Sequence, residues 1–456
     1  MKLYDTLTRN KHDLTAPDDG IKMYVCGITP YAPSHVGHAM SYVYFDVLRR
    51  YLEYKGYKVQ HVQNFTDIDD KIIDAATQAG IPAQTLADQF IHEYFQDMDA
   101  LNILRANIYP QATQEIDKII ELLDGLINKG LAYPSSGDVY FRISNFSGYG
   151  KLSQRTLDGM MAGARVEVTG QKEHAMDFTL WKSAKPGEPS WDSPWGPGRP
   201  GWHIECSAMS LKYLGENLDI HGGGQDLIFP HHENEIAQSE GYTGLAPFSR
   251  FWIHNGLLQL NENKMSKSLG NLVTVRDALR QFSPDSLRMF FLSSHYRNPL
   301  SYSDDSITSQ EKALERIRST LNLERNSNSN KNHLNPEPFK TRFLSSMDDD
   351  LNTPQALGCL FDLVREVNTQ YILGIDISAA QTTIVELGGL LGLTFQQPSR
   401  SNLEIDPYVD LLVEVREQLR AIKSFELADQ VRSKLEELNI VLEDSSQGTR
   451  WKFTQL

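Results

Sequence analysis

A thiol and two imidazoles lie close together in the sequence near the start of the chain. Cys26 follows a short apolar run, and His35 and His38 flank a valine and a glycine where the next amphipathic segment begins. The apolar run predicts a buried strand, and the Gly/Pro-rich stretch after it predicts a turn that leads into a helix. Because open α/β sheets bind their ligands at the carboxyl ends of strands, we expect a binding site here.

Four residues from distant parts of the chain form a candidate metal-binding set. Cys26 and Cys206 are expected at strand ends, and His231 and Glu235 share one face if their segment is helical. Two thiolates, an imidazole and a carboxylate are typical zinc ligands. The alternative is a pair of inert buried thiols beside a polar helix start, and the spacing alone supports both interpretations equally. His232, three residues before Glu235, is an alternative ligand to His231.

Two short motifs have the composition of phosphate-binding segments. His35–His38 places imidazoles on either side of Gly37, which permits close approach of a nucleotide. Lys264–Ser268 carries two lysines, and the charges of Lys264 and Lys267 could stabilise a phosphoryl- or nucleotidyl-transfer transition state. For the first motif the alternative is a turn with two exposed histidines, which is favoured when the motif is taken in isolation. For the second motif the alternative is a solvated basic loop.

A run of glycines is a further candidate for nucleotide contact. Gly222–Gly224 follows a predicted strand and leads to Asp226, whose carboxylate could bind an ammonium or a ribose hydroxyl. The alternative is an ordinary tight turn, which this motif alone favours.

The elements that must position these residues alternate between strand and helix. A strand over 22–29, a helix over 37–54, a strand over 58–66 and a helix after residues 67–70 are predicted from apolar spacing and capping residues. This order predicts an α/β fold with a doubly wound, Rossmann-like parallel sheet. Residues 135–200, rich in Gly, Pro, Ser and Trp, form an insertion, and the pattern is helical from 284 onward.

Breaks in composition divide the chain into six predicted segments. The stretches 326–338 and 396–407 have the composition of solvated linkers, and one long helix over 408–438 is predicted after the second. The segments are the first half of the sheet domain (1–130), the connective insertion (131–200), the second half (201–250), a region bearing the lysine motif (251–300), a helical bundle (301–395) and a C-terminal module (396–456).

The composition indicates a cytoplasmic protein of several domains. A chain of 456 residues is too long to fold around a single hydrophobic core. No apolar run approaches the roughly 18 residues of a membrane span. The three cysteines do not form a disulfide framework, and Cys359 has apolar neighbours that favour a buried structural role. No sustained heptad predicts an obligate dimer, so a monomer is expected. The net charge of −15 neither indicates nor excludes a nucleic-acid partner, because local patches decide such binding.

Taken together, these motifs resemble the signatures of the class I aminoacyl-tRNA synthetases, most closely the cysteinyl-tRNA synthetase family, over nearly the whole chain. His35–His38 resembles the first signature of that class and Lys264–Ser268 the second. Three more stretches are similar to blocks of that family: Asn64–Lys71, Gly198–Cys206 and Phe229–Glu235.

The resemblance implies roles for individual residues. It implies one zinc ion per chain, bound to the substrate thiolate, with the ligands Cys26, Cys206, His231 and Glu235. It implies that the amino-acid pocket is lined by Thr66, Trp202 and Asp226. It also implies that ATP, accompanied by Mg²⁺, is bound by His35, Gly37, His38 and Lys267.

The implied reaction joins L-cysteine to ATP as an adenylate and then to the 3′ end of tRNA(Cys). His35, His38 and the lysines of the second signature would stabilise charge on the phosphates. Asp285–Arg288 and the helices after it resemble the bundle that contacts the tRNA stem, and Glu443–Trp451 resembles the end of the anticodon-binding module. Trp451 could stack on a base or anchor the tail to the last helix, and we weigh these two roles equally.

The first signature departs from its common form in the family. Gly27–Pro30 stands where Gly-Pro-Thr-Val is usual, and Ala39-Met40 replaces Gly-Arg. This variant also resembles the ligase that joins cysteine to glucosaminyl-inositol in mycothiol synthesis, which is the alternative function. The intact run His231–Glu235 and the terminal module argue for the synthetase.

Overall fold

Four parallel strands form the central sheet in a computed structural model of the chain: β3 (Ile21–Val25), β4 (Val59–Gln63), β9 (Leu218–Gly224) and β10 (Ser249–Asn255). They pair in the order β10–β9–β3–β4, and every pairing is parallel. The chain winds outward from β3 in its first half and outward from β9 in its second, so the strand order reverses between β3 and β9. The predicted doubly wound sheet is confirmed.

The structure describes residues 1–456 except 16, 18, 19, 157–170, 261, 262, 265–271, 325–332, 397–405, 439, 446, 447 and 454–456. The chain divides into two compact units, Met1–Phe395 and Gln396–Leu456. The finer division of the first unit into sheet halves, insertion and bundle stays a prediction.

The α-helices of the described residues are α1 (Val36–Tyr54), α2 (Asp70–Ala79), α3 (Ala83–Ala100), α4 (Ile116–Asn128), α5 (Trp202–Leu214), α6 (Glu233–Thr243), α7 (Val275–Gln281), α8 (Pro284–Leu292), α9 (Asp304–Leu321), α10 (Glu337–Asp348), α11 (Thr353–Ile372), α12 (Ser378–Leu390), α13 (Asp406–Ala421) and α14 (Phe425–Glu437). Within the described ranges, no helix has both the length and the apolar character that a membrane span requires.

The remaining strands form smaller sheets around the central one. They are the N-terminal hairpin β1 (Lys2–Asp5) and β2 (Asn10–Asp13), the antiparallel sheet of the insertion with β5 (Ala132–Ser135), β6 (Asp138–Phe141), β7 (Phe178–Ser183) and β8 (Gly198–Pro200), the sheet of β11 (Leu258–Leu260), β12 (Asn263–Lys264) and β13 (Leu300–Tyr302), and the hairpin β14 (Ile440–Ser445) and β15 (Gly448–Phe453). The N-terminal hairpin was not predicted, because its strands are only four residues long.

Helix α1 connects the first signature with the helical bundle. It starts at the capping residue His35 and buries the apolar face that the sequence predicts, including Met40, Val43 and Leu48. That face belongs to a hydrophobic core that also contains Phe290 of α8 and Leu360 of α11. The signature helix and the bundle therefore share one core.

A second core lies around the insertion. Trp181 of β7, Leu123 of α4 and Met209 of α5 pack in it together with Cys26 and Cys206. The thiols of the predicted metal set are thus embedded in the packing that joins the insertion to the sheet.

The prediction of one helix over 408–438 is wrong. Two helices, α13 and α14, replace it, and the chain reverses at Lys423, whose φ is +62°. The apolar pattern runs through this break because Val413 of α13 and Leu435 of α14 face the same small core with Leu442 of the hairpin. A periodic pattern therefore does not reveal the turn.

Candidate active site

The four predicted metal ligands meet at the carboxyl edge of the parallel sheet. One candidate ligand atom from each of Cys26, Cys206, His231 and Glu235 lies within 4.8 Å of the other three, and all four residues are buried. Their positions in the sequence span most of the first unit, so the fold is what brings them together.

Cys26 immediately follows β3, as predicted. Its backbone N–H donates to the carbonyl of Gly222 at 3.0 Å, which ties the end of β3 to β9 at the point where the strand order reverses. The thiol therefore lies where doubly wound sheets bind their ligands.

Cys206 comes from a helix, and its predicted place at a strand end is wrong. The residue lies in the second turn of α5, which starts directly after Gly201. Ile204, Ala208 and Leu211 recur at helical spacing and are all buried, as are most residues of this helix. The Sγ atoms of Cys26 and Cys206 are 4.0 Å apart.

His231 and Glu235 lie on one face of a helical segment, as predicted. A π-helical turn over residues 228–232 leads into α6, and His231 Nε2 is 3.1 Å from Glu235 Oε1. Glu235 Oε1 is also 3.5 Å from Cys26 Sγ. A tetrahedral zinc ion has bonds of about 2.3 Å to sulfur and about 2.0–2.2 Å to nitrogen and oxygen, so its ligand atoms lie roughly 3.3–3.8 Å apart. The observed separations of 3.1, 3.5 and 4.0 Å lie within or close to this range.

The structure also brings together a second donor set, which shares Cys26 and Glu235 with the first and adds His221 and His232. Cys26 Sγ is 3.2 Å from His232 Nε2 and 3.6 Å from His221 Nε2. His221 Nε2 is 3.3 Å from Glu235 Oε2. The sequence pointed to His232 as an alternative ligand but not to His221. The available signal was its position in β9, just before the glycines.

The charges of the cluster shift the pKa values of its members. Burial would raise the pKa of Glu235, but the nearby His221 and His231 hold it well below its ordinary value. Burial would lower the pKa of His231, but Glu235 and Cys206 raise it to about 10. Burial raises the pKa of the Cys26 thiol, and its hydrogen bond to Cys206 adds to the rise. The ionised carboxylate of Glu235 is therefore the group of this cluster whose negative charge a bound cation would neutralise.

Hydrogen bonds from outside the cluster hold the imidazole of His232 in place. His232 Nδ1 is 2.7 Å from His254 Nε2, and His254 Nδ1 is 2.8 Å from the Thr6 hydroxyl. These contacts fix the orientation of the imidazole of His232 beside Cys26, as outer hydrogen bonds do for metal-binding histidines.

The first signature lies at the N-terminus of α1. His35 Nδ1 accepts hydrogen bonds from the backbone N–H groups of Gly37 and His38 at 3.1 and 3.3 Å, and the two imidazole rings stack 3.6 Å apart. A Cβ at residue 37 would lie 3.0 Å from the ring of His35. Glycine is therefore what allows the ring to cap the helix.

The chain just after the second signature pairs with the first. Val36 N–H donates to the carbonyl of Val273 at 3.0 Å, and Val275 N–H donates to the carbonyl of Ser34 at 2.9 Å. Lys264 lies in β12, paired with Gln259 of β11. Lys267 lies outside the described residues.

The three residues predicted to line an amino-acid pocket come from three elements. Thr66 follows β4 and donates its N–H to the carbonyl of Ile28 at 3.1 Å. Trp202 is 38% exposed and stacks on His231 with ring centroids 4.4 Å apart. Asp226 lies in the 3₁₀ turn after β9. Gly222–Gly224 belongs to β9 itself, so the predicted turn starts later than expected; Phe45 lies against Gly222 and leaves no space for a side chain there.

Asn64 is a further site residue, which the sequence did not single out by its own chemistry. Its Oδ1 accepts from Gly27 N–H at 2.9 Å and lies 3.7 Å from Cys206 Sγ, and its Nδ2 donates to Thr66 Oγ1 at 3.3 Å. It thus connects the thiols with the predicted pocket.

Comparisons with known proteins agree with this geometry. The family model described as the tRNA synthetases class I (C) catalytic domain matches residues 14–312, and the DALR domain matches residues 342–396. A cysteine–tRNA ligase of Dehalococcoides mccartyi is 54% identical over 455 residues, covering 99% of both chains. One from Carboxydothermus hydrogenoformans is 49% identical over 472 residues, covering 99% of this chain and 100% of its own.

The solved structure of Mycobacterium tuberculosis methionyl-tRNA synthetase in complex with methionyl-adenylate shares the fold. It aligns with a TM-score of 0.60 at 18% identity, over 81% of this chain and 89% of its own. With catalytic-domain and DALR matches in sequence, and full-length relatives at this identity, the chain belongs to the class I aminoacyl-tRNA synthetases, in the cysteine–tRNA ligase family.

Proposed function

We propose that the chain activates L-cysteine with ATP and transfers the cysteinyl group to the 3′ end of tRNA(Cys). The observation that carries the proposal is the buried cluster of Cys26, Cys206, His231 and Glu235 at the edge of the sheet where the signature helix also begins. Similarity to cysteine–tRNA ligases over their full length disfavours the alternative ligase acting on glucosaminyl-inositol.

The four residues of the cluster would hold one zinc ion. When bound, zinc takes up a sulfur as thiolate and thereby distinguishes cysteine from serine, whose hydroxyl ionises far less readily. The protein's part is to keep both thiols buried and the imidazoles fixed. His232, which His254 orients, stabilises this arrangement from the side of β10.

The N-terminus of α1 would bind ATP. His35 accepts through Nδ1, so its neutral ring carries the proton on Nε2, where it can donate to a phosphate oxygen. His38 stacks against it, and burial keeps the pKa of His38 well below its ordinary value. The neutral rings then act as hydrogen-bond donors, while Lys264, Lys267 and the Mg²⁺ that accompanies ATP supply positive charge.

Thr66, Trp202 and Asp226 would line the amino-acid pocket. Trp202 covers His231 with its exposed ring and so excludes water from the metal ligands. Asp226 and Thr66 supply oxygen acceptors for the substrate ammonium. The helical bundle would contact the tRNA stem, and the C-terminal module would contact the anticodon. We also propose that the protein is a cytoplasmic monomer whose six segments have the bounds predicted from the sequence.

The function is tested by ATP–pyrophosphate exchange with cysteine and by charging of total tRNA with labelled cysteine. We expect both activities. Exchange without tRNA charging, but with condensation of cysteine onto glucosaminyl-inositol, would establish the alternative.

The metal assignment is tested by Cys206→Ser, with Cys359→Ser as the matched control, since Cys359 is a buried thiol in the bundle. Cys206→Ser should lower zinc content and cysteine affinity together, because it removes a thiolate ligand. Cys359→Ser should change neither. Retention of zinc and affinity in Cys206→Ser would contradict the ligand set.

A further inference from the structure

Lys71 is an exposed cation beside the candidate site. It is the second residue of α2, and within the described part of the chain no carboxylate forms an ion pair with its ammonium group. A cation in the first turn of a helix opposes the helix dipole and lowers the stability of that helix. A charge that is kept at such a position against this cost indicates a functional role.

The two acidic residues before Lys71 are engaged elsewhere. The carboxylate of Asp69 caps α2 by accepting the backbone N–H of Lys71 at 3.0 Å. The carboxylate of Asp70 pairs with the ammonium of Lys182 at 2.5 Å and with the guanidinium of Arg199, both from the insertion. The positive charge of Lys71 is therefore available to a ligand.

The segment that leads to Lys71 runs along the turn between the metal cluster and the first signature. Gly27 N–H donates to Asn64 Oδ1 at 2.9 Å, at the end of the turn next to the thiols. Farther along, Thr66 N–H donates to the carbonyl of Ile28 at 3.1 Å. The two segments therefore stay side by side as the turn leaves the cluster.

Lys71 contacts the middle of this turn. Its ammonium nitrogen lies 5.5 Å from the centre of the Tyr31 ring. Such a contact holds the cation on one side and leaves its other N–H groups free to bind an anion. Tyr31 lies midway in sequence between Cys26, where the substrate thiol would bind, and His35, where ATP would bind. The ammonium group is therefore held beside the turn that connects these two sites.

The proposed reaction develops negative charge between the same two sites. An oxygen of the cysteine carboxylate attacks the α-phosphorus of ATP, the bond from that phosphorus to the bridging oxygen breaks, and pyrophosphate leaves. In the transition state the α-phosphate oxygens carry charge, which a cation already held in place stabilises. The neutral imidazoles of His35 and His38 donate hydrogen bonds to phosphate but bring no charge of their own.

We infer that Lys71 is a catalytic residue whose ammonium group contacts the α-phosphate oxygens and stabilises the transition state of adenylate formation. The inference rests on the proposed function and adds a residue outside both signatures to its first step. Tyr31 keeps the ammonium group beside the turn. Because the charge of the transition state is absent from the separate substrates, the contribution of Lys71 falls on kcat of activation rather than on substrate binding.

ATP–pyrophosphate exchange measures activation separately from transfer to tRNA. Removing one group that stabilises transition-state charge lowers kcat about 10²–10³-fold, so we expect Lys71→Met to lower kcat of cysteine-dependent exchange about 10²-fold. The KM values for ATP and cysteine should stay near those of the parent protein, and zinc content should not change. Lys71→Arg should recover part of the loss, because its guanidinium keeps the charge.

Lys55→Met is the matched control. Lys55 also lies over a tyrosine ring, 6.0 Å from the centre of Tyr51, but its ammonium pairs with Asp348 of α10 at 3.2 Å. This variant should exchange like the parent protein. The melting temperature of Lys71→Met should be equal or higher, because a cation is removed from the start of a helix. Once cysteinyl-adenylate has formed on Lys71→Met, its transfer to tRNA should proceed at the parent rate.

A merely structural role of Lys71 predicts a lower melting temperature and parallel losses of zinc, exchange and transfer. An unchanged kcat of exchange, or a higher KM for cysteine at unchanged kcat, would overturn the inference. A loss confined to the transfer step would overturn it as well, because the ammonium group would then act on the RNA. Absence of tRNA charging by the parent protein, with the exchange results intact, would contradict the proposed function alone.

Discussion

The guanidinium of Arg288 in α8 donates to the carboxylate of Asp46 in α1 at 2.5 Å, and neither side chain is exposed to solvent. Arg288 also donates to the carbonyl of Leu391 at 2.8 Å, and Arg50 contacts Asp46 at 2.9 Å. Since His35 caps the start of α1, this buried pair fixes the second half of that helix to α8 and to the chain at Leu391.

Removing one partner of this pair should destabilise the first unit strongly. Arg288→Met leaves Asp46 buried with Arg50 and the backbone N–H of Leu104 as partners, and breaking a buried pair in this way costs about 3–5 kcal/mol. Denaturant unfolding should show this loss. Arg280→Met is the control, because Arg280 is 77% exposed and its ion pair with Asp277 contributes about 1 kcal/mol at most. Equal stability of the two variants would contradict the prediction.

A methyl group at Gly27 should disrupt the metal cluster. A Cβ at this residue would lie 1.5 Å from the carbonyl oxygen of Asn64, so the chain after Cys26 must move away from β4. Gly27→Ala should therefore lower zinc content and cysteine-dependent exchange together. Gly389→Ala in α12 meets no atom within 4 Å and should be neutral or stabilising by about 0.5–1 kcal/mol. A fully active, zinc-loaded Gly27→Ala protein would show that the cluster tolerates the displacement.

His61 should make the protein less stable in mild acid. Its imidazole is buried in β4 without a hydrogen-bond partner among the described residues, and burial, followed by the charge of Arg49, lowers its pKa to about 3 although Asp46 opposes the shift. In the unfolded chain the imidazole of His61 has a pKa of about 6.5, so it takes up a proton more readily there than in the folded protein. The contribution of neutral His61 to the free energy of unfolding is therefore complete above that pH and is lost as pH falls toward 3.

The variant His61→Phe should remove this part of the pH dependence. Between about pH 7.5 and 5.5, the free energy of unfolding should fall by about 1 kcal/mol less in His61→Phe than in the parent protein. His92→Gln, on the exposed side of α3, is the control and should leave the dependence unchanged. Identical pH profiles for His61→Phe and the parent would show that His61 is not a source of acid sensitivity.

The sequence predicted the sheet and the signature helix because each depends on local pattern. The four-residue cluster was a candidate from its residue types, and the resemblance to the family implied it as the ligand set. Cys206 was placed in the wrong element, since a short apolar segment with little polarity contrast does not distinguish helix from strand. His221 was not identified at all. It lies inside a regular element, and its chemistry arises from side chains that only packing brings near.

The role of Trp451 was open between stacking on a base and anchoring the tail, and the second unit favours the anchor. Its Nε1–H donates to Asp410 Oδ1 at 2.8 Å, and its ring packs against the core that contains Val413 and Leu442. Asp410 lies on α13, the first of the two helices that replace the predicted last helix. The indole N–H and part of the ring are therefore engaged within the module.

An anchoring role predicts a loss of stability without a matching loss of RNA affinity. Trp451→Phe keeps an aromatic face for stacking but removes the hydrogen bond, so the second unit should lose about 0.5–1.5 kcal/mol of stability. Asp410→Ala should cost a similar amount, and the double variant should cost less than the sum because both changes remove the same bond. Below the melting temperature of the variants, tRNA affinity should stay at the parent value. A stacking role predicts instead that Trp451→Ala weakens tRNA binding by about 1–3 kcal/mol while Asp410→Ala does not.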